Sequence, residues 1–407
     1  MELKKLVKKK FQTLSVLHLN NNDIEKIIIE NMDDEKEDEK FNNNNLNKEL
    51  DEKINKLISY YKSNLNEKYI EKRKIILKSS ENGDFSYINS LFNCLGNILD
   101  LLLYLQRNKN KINNSEKYPF TFSCFRIIEH LINKNSKKDP NDDVSSFIKI
   151  IEHFYPFFKT NKNPIDLFNI LMNLMHNELN IIQKNNINPF YEEKIDERDL
   201  NKIIHYKKIK FNQDNDTIIS KCFNLFCKKE IKCFKCNSIF YELQNFISFD
   251  LDPINTYKKY KRSNLSIYDC LAFYLSPVTG KAICSICNHL AELSIQKKIY
   301  SPSSNLVLVI NRNNPNEEKE ILYSKIKYEE ILDISNYIDK KMIYFKAEYI
   351  LIGVVAFLFE KKKFVSFCKD LFHNEWICFD EESIDECNFN YMLNNSSPYI
   401  FFYKMLD

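Results

Sequence analysis

The chain has 407 residues, with 59 Lys and Arg against 56 Asp and Glu and a net charge of +3. So even a balance, with no basic face interleaved with aromatics, excludes nucleic-acid binding by bulk electrostatics. Apolar residues make up 44% and aromatics 14%, enough for a sizeable core, yet no run of about 18 apolar residues exists to span a membrane. The opening MELKKLVKKK is basic but lacks the apolar stretch and small-residue cleavage site of a secretory signal. The expectation is an intracellular protein, cytoplasmic or nuclear, with neither nucleic acid nor membrane as partner. Twelve cysteines in so long a chain then point to metal ligands rather than a disulfide scaffold. Only Gly83, Gly96, Gly280 and Gly353 are glycines, so each marks a place where something requires one.

In chain order, residues 1–78 read as a charged extension. The polar, low-complexity tract from Asn31 to Lys53 offers no core face and is expected to be disordered. Leu57, Ile58, Tyr61 and Leu65 after it have helical spacing. From about residue 80 the texture changes, and residues 79–407 read as one domain. Residues 86–106 and 164–182 are apolar at helical spacing. After about residue 218 short β-branched and aromatic runs follow: FISFDLDPI, NLVLVINR, YILIGVVAFLF, KFVSFCK and PYIFFYK. Helices first and strands later predict an α+β fold.

Cys233-Phe-Lys-Cys236 and Cys284-Ser-Ile-Cys287 are two CxxC pairs with 47 residues between them. Two intervening residues make a tight knuckle that turns both sulfurs toward one ion, and two knuckles complete a closed, structural zinc site. The gap exceeds that of a free-standing ribbon, which places the ribbon at the end of long strands within residues 220–300. Packing cysteines that have lost their zinc are the alternative. A redox role lacks the helix N-terminal setting that such cysteines use.

Around that frame, short stretches resemble ubiquitin-specific proteases in sequence and in order. Gly83-Asp-Phe-Ser86-Tyr87-Ile-Asn89-Ser90-Leu-Phe-Asn-Cys94-Leu95 is similar to the cysteine box GNTCYMNSxLQxL. Asn163-Pro-Ile-Asp166-Leu167-Phe168 with Leu171, His176 and Leu179 resembles the DAxEFLxxLLDxLHxEL helix. Phe246 to Ile254, Ser266 to Phe273 and Pro302 to Arg312 look like the FxxLSLPI strand, the SLxDCLxxF helix and the LPxxLxLHLKRF strand. Tyr349-Ile-Leu351 with Val354, then Trp376 to Asp380, then Pro398 to Tyr403 resemble YxLxxV, WYxFDD and AYILFY. The resemblance implies a papain-like hand of palm, thumb and zinc-bearing fingers, with a cleft for the C-terminal tail of ubiquitin. In active members a cysteine thiolate there is activated by a histidine that an Asp or Asn orients.

This chain departs from the pattern at the reactive positions. Ser86 stands at the cysteine, Glu81 at the Asn that supports the oxyanion, and Lys363 at the histidine of GHYxxY, while Asp380 survives. A hydroxyl needs a base to attack, and a lysine, normally protonated, supplies none. Glu81 would set a negative charge against a developing oxyanion. The register Leu95-Gly96-Asn97-Ile98-Leu99 echoes LGNTC but puts Leu99 at the nucleophile. Cys94 is expected in the core, and a Ser86–Lys363 dyad is disfavoured by the solvated neighbours Lys361 and Lys362. His373 falls too late to replace the histidine. The resemblance therefore implies a pseudo-deubiquitinase that binds ubiquitin or a ubiquitin-like protein without cleaving it. A divergent active deubiquitinase is one alternative. A structural subunit of a larger assembly, such as the splicing-associated members, is another, although residues 1–78 carry no cysteine for the zinc finger of those members.

Overall fold

The computed structural model describes residues 48–64, 85–113, 116–132, 140–160, 162–180, 200–262, 264–312, 325–339, 346–381 and 383–406. The chain divides into two compact units, residues 1–60 with 407 and residues 61–406. The described residues of the first are helical from residue 48, in a helix (α1) that runs to residue 64. It covers the helical spacing at Leu57 and Tyr61, but it starts inside the tract expected to be disordered. Residues 48–53 are Lys, Glu, Leu and Asp, mostly good helix formers, and Glu49 pairs with Lys53 one turn on at 3.2 Å. The rest of that tract lies outside the described residues.

In the second unit helices precede strands. They are α2 (Ser86–Leu95), α3 (Leu99–Arg107), α4 (Lys109–Ile112), α5 (Pro119–Ile132), α6 (Pro140–Phe154), α7 (Pro164–Leu179), α8 (Leu200–Asp214) and α9 (Ile218–Phe223). Strands β1 (Leu225–Cys233), β2 (Ile239–Phe246), β5 (Val278–Ile283) and β6 (Leu290–Ser301) form one antiparallel sheet in the order β2-β1-β6-β5. Between its two hairpins come β3 (Phe249–Leu251), α10 (Pro253–Tyr260), β4 (Leu265–Ser266) and α11 (Ile267–Tyr274). The second sheet adds β7 (Asn305–Ile310), β9 (Ile331–Asp333), β10 (Glu348–Leu358), β11 (Lys363–Asp370), β12 (Glu375–Phe379), β13 (Ile384–Cys387) and β14 (Ser397–Met405). Its order is β13-β12-β11-β10-β14-β7-β3, with β9 also on β10. The short β8 (Ile326–Lys327) pairs with β4, and α12 (Phe389–Asn395) leads into β14. Of the apolar runs singled out in the sequence, NLVLVINR, YILIGVVAFLF, KFVSFCK and PYIFFYK supply β7, β10, β11 and β14, whereas FISFDLDPI is strand only at Phe246 and Phe249–Leu251 and enters α10 at Pro253.

The centre of the large sheet is β10, with all but one of its residues buried. A strand covered on both faces needs a continuous apolar run rather than alternation, which is what YILIGVVAFL supplies. The pairing of β10 with β14 slips between Leu351 and Gly353, and the Asn97 amide donates into the slip, to the carbonyls of Ile352 at 2.6 Å and Lys369 at 3.1 Å. Asn97 lies in the turn after α2, so this contact seats α2 on the sheet. There Gly353 is required. A Cβ on it would lie 3.3 Å from Cys94 Sγ, with Phe402 behind, and Cys94 is fully buried as expected. Gly353→Val should therefore destabilise by about 1–3 kcal/mol through overpacking. Denaturant melts of the variant with and without Cys94→Ala check this, since the smaller side chain should recover part of the loss.

Lys228 near the base of β1 forms a buried ion pair with Asp339, and Asp339 N donates to Ile299 O of β6 at 2.8 Å. These contacts fasten the four-stranded sheet at its root. No single helix among the described residues is long and apolar enough to cross a membrane.

Candidate functional site

The metal-ligand candidates come together. Cys233 ends β1 and Cys236 lies in its turn to β2, while Cys284 directly follows β5 and Cys287 lies in the turn to β6. All four Sγ atoms lie within 4.8 Å of one another. The two knuckles are built alike. Asn237 and Asn288, each the residue after a second cysteine, are left-handed, with φ of 56° and 51°, a conformation asparagine tolerates better than most. Cys233 N donates to Ser238 O and Cys284 N to His289 O, each at 3.0 Å. Ile286 N also donates to Cys284 Sγ at 3.4 Å, and such backbone donors hold the Cys284 thiol below its ordinary range. Ser238 beside Cys236 lowers that thiol to about 6. The donor set fits a thiophilic ion. A tetrahedron with metal–sulfur bonds of about 2.3 Å has edges of about 3.8 Å, and Cys236 Sγ and Cys284 Sγ stand 3.9 Å apart. The cluster can hold a metal with no open position. The long strands expected behind it are two hairpins that share one sheet.

The second constellation sits where α2 meets the β11 end of the large sheet. Ser86 is the first residue of α2, at the pole where a helix favours negative charge. It is fully buried, and its Oγ accepts a hydrogen bond from Phe364 N at 3.2 Å. Phe364 follows Lys363, so the nucleophile and base positions of the sequence comparison adjoin. Asp380 is close by, because Phe379 ends β12 opposite Ser366 of β11. The partners, however, are not those of a triad. Lys361 Nζ lies 2.5 Å from Asp380 Oδ2, and Lys363 Nζ lies 3.3 Å from Glu381 Oε2. The carboxylate side chains are only 3% and 4% exposed against 47% and 32% for the lysines. Two buried carboxylates thus meet one exposed and one half-buried lysine where an active member would orient one imidazole.

Lys361 and Lys362 are both exposed, as expected of a solvated strand end. Lys362 occupies a left-handed turn position, φ 52°, and from its exposed site Lys361 still reaches the buried Asp380. Sequence spacing missed Lys361 and Glu381 because their pairing depends on the turn. The one available signal was a Lys-Lys-Lys run opposite an Asp-Glu pair. Glu81 lies outside the described residues.

The described histidines are placed elsewhere. His130 contacts Asp143, His176 contacts Thr217 and Asn215, and His289 belongs to the second knuckle. His373 is exposed in the turn after β11 and pairs with Asp370 at 2.8 Å. The strand from Lys363 to Asp370 separates it from Ser86, a span of roughly 24 Å at about 3.4 Å per residue.

A helix N-terminus set against a twisted sheet, with a separate cysteine-tipped sheet, is the palm-and-fingers architecture of ubiquitin-specific proteases. A family model described as ubiquitin carboxyl-terminal hydrolase matches residues 77–403, and the chain belongs to that family. Solved structures of the SAGA DUB module of Ubp8, Sgf11, Sus1 and Sgf73 have the same fold. The module bound to monoubiquitin superposes with a TM-score of 0.61 at 16% identity, over 84% of this chain and 71% of that one. The module bound to ubiquitin aldehyde gives 0.61 at 16%, over 83% and 71%. A yeast module with a substituted Sgf73 gives 0.61 at 17%, over 86% and 74%.

Proposed function

We propose that this chain is a pseudo-deubiquitinase. It binds ubiquitin or a ubiquitin-like protein between palm and fingers, holds zinc at Cys233, Cys236, Cys284 and Cys287, and does not cleave its partner. The observation that carries the reading is the pairing at the triad positions. Ser86 Oγ, sealed from solvent, is hydrogen-bonded by a backbone N–H, and the neighbouring cations are lysines already engaged by carboxylates. A protonated lysine held by Glu381 accepts no proton from a serine, so no base stands ready. The SAGA modules bound to ubiquitin and to ubiquitin aldehyde support a ubiquitin-type partner, and their four-subunit composition supports a place in a larger assembly.

The test pairs two measurements on the purified chain. Calorimetric titration with ubiquitin and with ubiquitin-like proteins should show binding to at least one, and a fluorogenic ubiquitin substrate should remain intact. Cleavage that Ser86→Ala abolishes would make the chain a divergent enzyme instead. A chain that binds none of them but co-purifies with a stable complex would be a structural subunit.

A further inference from the structure

We infer that the β13 edge of the large sheet docks an extended basic segment of a partner protein, which pairs with β13 and places a lysine or arginine side chain in an adjacent acidic cavity. Two separate features meet there. β13 is the last strand of its sheet, and among the described residues no other element pairs with its outer side. Its residues are exposed or half-buried, and such an edge is a template for another strand. Beside it lies a cavity of about 340 Å³, lined by residues of β12, β13, α12 and the turn from β10 to β11. That is the small end of the range for ligand pockets, enough for one long side chain.

Charge selects the occupant. Asp380, Asp385 and Glu386 line the cavity, and Lys361 is the one lining cation among the described residues. Its ammonium is engaged by Asp380, which shows that this wall accepts a cation on a flexible stem. Asp385 accepts a hydrogen bond from the Ser383 hydroxyl, and neither it nor Glu386 forms an ion pair with a described residue. Burial pushes the Cys378 and Cys387 thiols up to about 12, so both stay neutral and add no charge. Tyr391, 44% exposed, adds an aromatic wall of the kind that favours ammonium and guanidinium groups.

The strand register distributes the two unpaired charges. Asp385 is opposite Cys378 and Glu386 opposite Ile377, so successive carboxylates point to opposite sides of β13. Asp385 shares the side of Cys378, which lines the cavity. A strand laid on this edge sets one basic residue against Asp385 on the cavity side and the next against Glu386, each a favourable cross-strand pair. A second copy pairing β13 to β13 would bring carboxylates together instead.

The test is titration of the full-length, zinc-supplemented chain with the capped peptide Ac-Val-Lys-Arg-Val-NH2. Calorimetry reads it, together with the fluorescence of Trp376, the single tryptophan, which is opposite Cys387 across β12 and β13. Wild type should bind saturably, and added salt should weaken the complex. Asp385→Asn with Glu386→Gln should weaken it by about tenfold or more. Both side chains are exposed, so this variant should keep its fold, which circular dichroism verifies. On wild type, the acidic peptide Ac-Val-Glu-Glu-Val-NH2, a backbone N-methylated form of the basic peptide and butylamine should each bind about tenfold or more weakly. No saturable binding by wild type, or a double variant that binds like wild type, overturns the proposal. So does butylamine or the N-methylated peptide matching the intact one, since the cavity then takes small amines without help from the strand edge.

Discussion

Purified chain is expected to contain one zinc ion per molecule, and stripping it is expected to melt the end of the finger sheet. Apart from Cys233 and Cys284, the buried cluster at that end consists of Ile231, Ala291 and Leu293. Three modest side chains bury too little apolar surface to hold two hairpins together. Structural zinc in finger peptides supplies about 10–16 kcal/mol, as much as the whole stability of many domains. Cys284→Ser removes a buried ligand and should release the metal. Elemental analysis and hydrogen exchange of residues 225–301 read both effects, with loss of protection starting at the knuckles. The palm should stay protected, because its core rests on β10 and β14. A chain that purifies without metal and keeps its fingers protected would mean that the four cysteines only pack together, the alternative that sequence spacing leaves open.

Those cysteines show what can be read from one sequence. A CxxC knuckle is a local geometry, set by a few residues and a left-handed Asn, so two of them announce a site before any fold is known. The apolar strands were equally visible, since β10, β11 and β14 are buried runs that alternate too little to be edges. The order of helices and strands followed from composition, and the resemblance in motif order is matched by the family model over residues 77–403. What stayed hidden depends on turns and long-range register. Lys361 reaches Asp380 because the chain reverses through Lys362, and Lys363 meets Glu381 because β12 ends beside the start of β11. The requirement for glycine at 353 reflects a helix laid across the strand, which no local pattern contains. The start of α1 inside a polar tract shows the opposite error, in which low complexity outweighed helix propensity.

Ser86→Cys combined with Lys363→His is expected to leave ubiquitin hydrolysis at background, although it restores the thiol and the imidazole. Two groups stand in the way. Asp380, the residue that would orient the imidazole, is held by Lys361 at 2.5 Å. Glu381, which is buried, loses the Lys363 ammonium 3.3 Å from its Oε2, and removing one cation from a buried carboxylate is costly and invites local rearrangement. In a hydrolase triad, loss of a single member costs on the order of 10⁴–10⁶ in turnover, so a base without its orienter is a small gain. Adding Lys361→Gln, which removes the competing ammonium, and Glu381→Gln, which removes the negative charge that Lys363 met, should raise the rate by about 10²–10⁴ over the double variant, the usual contribution of a well-placed base. Stopped assays with a fluorogenic ubiquitin substrate separate the cases. If the double variant is already fast, Lys361 does not block the site and Asp380 is free to turn. If the fourfold variant is no faster than the double, the lysine pairs are not what holds the cleft inactive.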